Sequence, residues 1–334
     1  MKKTLVALAV AGISTSAFAV NTNSENSKPA FEFDPMHKEQ FSVSGSVGLG
    51  GYYDTGSKAF YDDWATGLTI AVNYKNNRLL GYFETDLLVN FNTDSEKVSG
   101  IESGPIGDVD KAWIGFDTGY GVASFGWEND TALDKVDGAG DFTYEFGASA
   151  GDASDAFNVV KFEGATSGFA YGVSYFETDE SHRASDKGVN GYIGLEQDMF
   201  NIYAGYETRD EYHYDVYTVT GNVDLGTVML GANFWVEEGG VNLVSNTTDK
   251  KNTGYYLSAG YPVNDLMTLA AGYAANTFEE NGEADKDQSY MNIAMTYKLG
   301  QNADMGIDVK QILDTGDKSV DEETYVFAAA YYYF

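Results

Sequence analysis

Over most of the chain, apolar residues recur at every second position, in runs separated by turn-forming residues. In "FSVSGSVGLGGYY", Phe41, Val43, Val47, Leu49 and Tyr53 share one face while Ser42, Ser44 and Ser46 take the other. In "WATGLTIAVNY" the apolar row is Trp64, Leu68, Ile70, Val72 and Tyr74. In "LLGYFETDLLVNF" it is Leu79, Phe83, Leu87, Val89 and Phe91. "TVMLGANFWVE", "GYYLSAGY" and "YMNIAMTYKL" repeat the pattern further on, and the chain ends on Thr324, Val326, Ala328, Ala330, Tyr332 and Phe334 in one row. A period of two predicts β-strands, because successive side chains of a strand point to opposite faces. Sixteen such segments can be counted, and no long helical period survives. For "DKAWIGFD" (110–117), alternation leaves the outward face open.

The charges sort by face. Glu84, Asp86, Lys161, Glu163, Glu207, Arg209, Glu237, Asp308 and Lys310 all fall on the parity opposite the apolar rows. A soluble β-sandwich and a membrane barrel both satisfy that alternation. The closing aromatic strand favours the barrel, apolar outside and polar inside. Lys or Arg at the bilayer midplane costs roughly 2–4 kcal/mol, which keeps such an outer face clean. Closure also removes the strand edges that lipid cannot satisfy. Short turns, "YKNNR" (74–78), "LGT" (225–227) and "PVND" (262–265), alternate with longer polar connections at 93–108, 177–188, 236–251 and 279–288. Short turns on one side and long loops on the other fit an outer-membrane barrel, at about 20 residues per strand plus connection.

The opening "MKKTLVALAVAGISTSAFAV" has two lysines, a short apolar stretch and Ala17-Phe18-Ala19. This predicts a signal peptide over 1–19 and export of the chain from residue 20 onward. Residues 20–39 then form a tail before a barrel over 40–334. Its Asn/Ser/Pro composition suits a disordered periplasmic segment, and the alternative is entry into the lumen. There is no cysteine, which excludes disulfides and thiolate metal sites. A net charge of −31 without a basic stripe argues against nucleic acid as a partner and for attraction of cations.

Four stretches carry a resemblance to a known family. They are the terminal Tyr332 and Phe334, "AWIGFDTGYGVASFGWEND" (112–130), "DFTYEFG" (141–147) and "NVVKFEGATSGFAYGVSY" (158–175). The sequence resembles the trimeric general-diffusion porins of Gram-negative outer membranes, in a form similar to those of marine gamma-proteobacteria. The resemblance implies an all-β fold, a 16-stranded antiparallel transmembrane β-barrel whose third loop (roughly 128–156) folds inward as a constriction. It implies a homotrimer packed along the first and last strands, where "SVGLGG" and "FAAA" allow close approach. It also implies insertion by the barrel-assembly machinery, read from Tyr332 and Phe334, and contact with outer-membrane lipid and lipopolysaccharide. Carried onto this chain, the loop acids are Asp141 and Glu145, and Lys161 is the best match to a basic wall residue. Asp110, with Lys111 adjacent, stands where the family carries arginine, and Gly126-Trp127 replaces a Gly-Arg pair. Tyr144 replaces the usual proline of the loop motif.

Other motifs carry less. "GASAG" (147–151) matches a serine nucleophile pattern but lacks its strand–turn–helix setting. His37, His182 and His213 have no ligand spacing. No enzyme, metal centre or cofactor is expected. The acids of 93–108 and 279–288 read as solvated loop faces, or as sites for divalent cations bridging to lipopolysaccharide phosphates. The functional expectation is a water-filled channel for small hydrophilic solutes and ions, preferring cations. One alternative is an oligosaccharide-selective channel with Tyr82, Tyr203, Trp235 and Tyr256 as a stacking track. Another is an adhesin or structural barrel acting through its loops.

Overall fold

The computed structural model describes residues 40–127, 130–151, 156–178, 187–210, 214–239, 250–280 and 282–334. The expected signal peptide, the 20–39 tail and all three histidines lie outside them. The strands are β1 (Gln40–Asp54), β2 (Ala59–Asp62), β3 (Gly67–Asn76), β4 (Leu79–Asn92), β5 (Gly104–Asp117), β6 (Val122–Trp127), β7 (Ala156–Thr166) and β8 (Phe169–Thr178). They continue with β9 (Lys187–Glu196), β10 (Phe200–Arg209), β11 (Tyr214–Asp224), β12 (Met229–Glu238), β13 (Lys250–Asn264), β14 (Met267–Glu280), β15 (Lys286–Lys298), β16 (Ala303–Asp314) and β17 (Thr324–Tyr333). Sequential neighbours pair antiparallel, and β17 pairs with β1, so one sheet closes on itself. β2 and β3 occupy one strand position between β1 and β4, which makes a closed barrel of 16 strands. Closure reaches the last residue, where Gly45 and Phe334 exchange both backbone hydrogen bonds at 3.0 Å.

The period-two rows face outward as expected. Val47, Leu49, Phe83, Leu87, Val89, Tyr332 and Phe334 are exposed, whereas Phe327 and Ala329 are buried on the other side of β17. Trp64 departs from the expected row. The β2–β3 strand breaks at 63–66 because the Asp62 carboxylate accepts the N–H groups of Trp64, Ala65 and Thr66 at 3.2, 2.8 and 2.7 Å. Trp64 is thereby turned inward onto Phe327, with ring centroids 5.4 Å apart.

A bulge resolves the face of 110–117. Glu84 pairs with Lys111 and Thr85 with Val109, so Asp110 is an extra residue in β5. Asp110 and Lys111 are both buried inward, and Ile114 and Phe116 face out.

Several connections are tighter than the sequence suggests. β13 runs through Asn264, so most of "PVND" is strand, and β14 and β15 leave only 281–285 between them. Likewise β5 begins at Gly104, shortening the 93–108 connection. Ser167 and Gly168 (φ 51° and 78°) form the two-residue β7–β8 turn, whose left-handed pair matches strand twist. The β3–β4, β5–β6, β7–β8, β9–β10, β11–β12, β13–β14 and β15–β16 connections are all short and lie at one end of the barrel.

Candidate functional site

The segment between β6 and β7 folds into the lumen and carries a helical turn, Asp134–Asp137. Wall residues of lumen parity hold it like a row of stitches. Ala132 N–H donates to Ser174 Oγ at 3.0 Å, and Asn190 Nδ2 donates to Thr131 Oγ1 at 2.8 Å. Asn222 Nδ2 donates to Ala139 O and Asn233 Nδ2 to Ala148 O, both at 2.7 Å. Ser258 Oγ donates to Gly140 O at 2.8 Å, and Gly151 N–H donates to Glu237 Oε1 at 2.5 Å. The densest stitch is on β16, where Asp308 Oδ2 accepts the N–H groups of Tyr144, Glu145 and Phe146 at 3.2, 2.9 and 3.0 Å. Asn292 Nδ2 donates to the same carboxylate at 3.1 Å. These bonds satisfy backbone groups that a loop inside a barrel would otherwise leave unpaired.

The sequence-predicted charges fall into three groups. Lys111 Nζ bonds Asp130 Oδ2 at 2.7 Å and lies across from Glu84, beside Asp110. Glu84 in turn accepts from Tyr82 OH. Lys161 Nζ donates to Asp130 O at 2.6 Å and lies 3.9 Å from Glu163 Oε2. Asp86 accepts from Thr69 Oγ1 at 2.6 Å. This first group is gathered around the start of the loop. In the second, Arg209 bonds Glu207 at 2.7 Å, with its guanidinium 4.7 Å from the Tyr214 ring centroid. The third surrounds Phe146, where Lys310 Nζ lies 4.6, 5.3 and 4.9 Å from the centroids of Phe146, Tyr290 and Tyr325.

The two loop acids differ. The Asp141 carboxylate turns back to accept the Thr143 N–H and hydroxyl, both at 2.7 Å. Burial pushes its carboxyl above the ordinary carboxylate range, against the pull of those two bonds. Glu145, whose N–H is held by Asp308 on β16, reaches β1 two strands away and accepts from Tyr52 OH. Of the four aromatic residues read as a stacking track, Tyr82 is half-buried against Trp113, with ring centroids 5.7 Å apart. Tyr203, Trp235 and Tyr256 are buried, and Tyr256 OH lies 2.9 Å from Thr143 Oγ1, so they pack under the loop. Sequence reasoning missed Asp130 and the anchoring asparagines. Asn190, Asn233 and Asn292 share parity with the lumen charges, which was the available signal.

A closed 16-stranded barrel with a loop stitched across its lumen agrees with the match of residues 4–317 to the family described as Gram-negative porin. The chain belongs to that family. No curated protein sequence matches it significantly. Among solved structures, the porin fold recurs in OmpF of Salmonella typhi, solved in complex with daunomycin. It is 16% identical, with 88% of this chain and 97% of that one covered and a TM-score of 0.69. In-vitro folded OmpT of Vibrio cholerae, an outer membrane protein in its trimer form, is 18% identical over 89% and 99% of the chains, with a TM-score of 0.66. The anion-selective porin of Comamonas acidovorans is 12% identical over 89% and 100%, with a TM-score of 0.63. Family and fold together make the chain a pore-forming barrel of the outer membrane.

Proposed function

We propose that the porin passes small hydrophilic solutes and ions and prefers cations, through a passage between the loop and the β3–β5 wall. The observation that carries this reading is the charge set around Lys111. Glu84, Asp86, Asp110, Asp130 and Glu163 stand against Lys111 and Lys161, an excess of three acids. The chain has only three arginines. Arg78 sits in the β3–β4 turn with Nη1 on Asp117 O, Arg209 is bonded to Glu207, and Arg183 lies outside the described residues. Rings of carboxylates favour cations electrostatically, and with a Debye length of about 8 Å at physiological salt only nearby charges act. The constriction is therefore assigned to Asp110, Lys111, Lys161 and Glu145, with Asp141 contributing less because its carboxyl is bound to Thr143.

The barrel is proposed to assemble as a homotrimer. On β1 and β17 the outward rows Val47, Leu49, Gly51 and Tyr332, Ala330, Ala328 lie opposite one another, a nearly flat patch for close packing. The remaining outer surface meets lipid and, at the long-loop end, lipopolysaccharide, with Tyr332 and Phe334 as the assembly signal. The test is the zero-current potential across a planar bilayer under a KCl gradient. Cation preference is expected, and Asp110→Asn with Glu145→Gln should move the potential towards zero. An anion-selective parent, or an unmoved double variant, refutes the assignment.

A further inference from the structure

Below the loop, at the short-turn end of the lumen, the barrel encloses a cavity of about 770 Å³. That volume lies within the range of small-molecule sites, roughly 300–1,000 Å³. Two ring pairs wall it. Trp64 and Phe327 stack with centroids 5.4 Å apart and planes 13° apart, and Tyr331 and Tyr333 stack at 6.3 Å and 26°. Tyr144 from the loop closes the cavity above, 5.8 Å from Phe327. The seat of Tyr144 is written into the sequence, since a Cβ on Gly306 would meet its ring at 2.5 Å. Charge enters through Asp304, whose carboxylate receives a long 3.5 Å bond from Tyr333 OH and whose cross-strand partner is Lys298, and at the rim through Asp265.

Aromatic walls in an aqueous lumen suit a flat hydrophobic ring, and one excess carboxylate suits a positive charge beside it. We propose that this cavity is a binding subsite for small aromatic cations, a planar ring carrying a protonated amine. The ring lies against Tyr144, Trp64 and the Tyr331–Tyr333 pair, on the side of Tyr144 away from Phe327, and the amine meets Asp304. The inference rests on the channel reading for how the solute arrives, and concerns a place separate from the charge set around Lys111. An aromatic cation would dwell here, narrowing the path, while a small inorganic cation passes.

The test uses tryptamine, with tryptophol (the same ring without charge) and butylamine (the charge without a ring). Calorimetric titration of the purified detergent-solubilised protein reads binding, and single-channel current with the amine on the short-turn side reads block. Tryptamine is expected to bind and block more strongly than either control. Tyr144→Leu should weaken tryptamine about tenfold through lost stacking, and Asp304→Asn at least about fivefold. Asp304→Asn lies outside the loop and leaves its anchors intact, so it stands if Tyr144→Leu perturbs folding. Tryptamine no stronger than butylamine or tryptophol, or a tryptamine affinity unmoved in Asp304→Asn, overturns the proposal. Absence of current steps with tryptamine binding intact would overturn the conduction reading and leave the subsite standing.

Discussion

Replacing Asp308 by asparagine isolates what charge contributes to holding the loop. The parent carboxylate is fully buried and accepts three consecutive loop N–H groups at 2.9–3.2 Å. A hydrogen bond to a charged acceptor contributes about 1.5–3 kcal/mol, against about 0.5–1.5 kcal/mol for a neutral one. Asparagine keeps size and one acceptor oxygen, so each bond loses about 1 kcal/mol and the three together about 3 kcal/mol. The new amide hydrogens also meet a site lined by donors, which makes that figure a lower bound. At 1.36 kcal/mol per tenfold, the detached state of the loop should gain about 150-fold in relative population. Planar-bilayer recording reads this as excess current noise and transitions to a wider conductance level. Glu237→Gln, which holds the loop through the single Gly151 N–H, should show a far smaller change. Noise and conductance identical to the parent in Asp308→Asn would refute the view that this carboxylate sets the loop's position.

Other outcomes follow from the same geometry. Asp141 has a raised folded-state carboxyl, so it favours folding only while protonated; that contribution is full below about pH 4 and is lost as pH rises through the raised value. Asp141→Asn should therefore raise Tm at neutral pH and leave it unchanged near pH 3, measured by thermal melts in detergent. Lys111→Gln leaves Glu84, Asp110 and Asp130 without their shared cation and should both sharpen cation preference and lower Tm. Deleting Phe334 removes the backbone pair with Gly45 and the ring beside it, and should slow closure in refolding assays followed by gel mobility. Cross-linking in native outer membranes should yield a trimer ladder, which a bulky Ala328→Trp on the exposed outward β17 row should suppress.

Much of the barrel is legible in the sequence because strand alternation is a local signal. Val326, Ala328, Ala330 and Tyr332 face outward and Phe327 and Ala329 inward, as a period of two requires. The signal fails where backbone chemistry interrupts it. Asp62 draws three N–H groups onto one carboxylate and takes Trp64 off its row, and the extra residue Asp110 shifts parity within β5. The site is less legible still. Thr143 and Tyr256, or Tyr144 and Asp308, are more than a hundred positions apart, and nothing local marks which lumen asparagine or aspartate meets the loop. Tyr203 and Trp235 read as pore-lining by parity, and only the position of the loop shows them covered.

The β5 bulge has a consequence for how such a channel changes its charge by insertion and deletion. Glu84 pairs with Lys111 and Thr85 with Val109 on either side of the extra residue. Losing Asp110 would therefore restore an unbroken ladder without turning any other side chain of β5 from water to lipid. A single-codon deletion there subtracts one acid from the passage, and its reversal restores it. Elsewhere in a strand the same change would invert every position beyond it, placing Asp or Glu against hydrocarbon. The bulge is thus a point where the reading frame of the wall can slip by one residue while the membrane face stays in register.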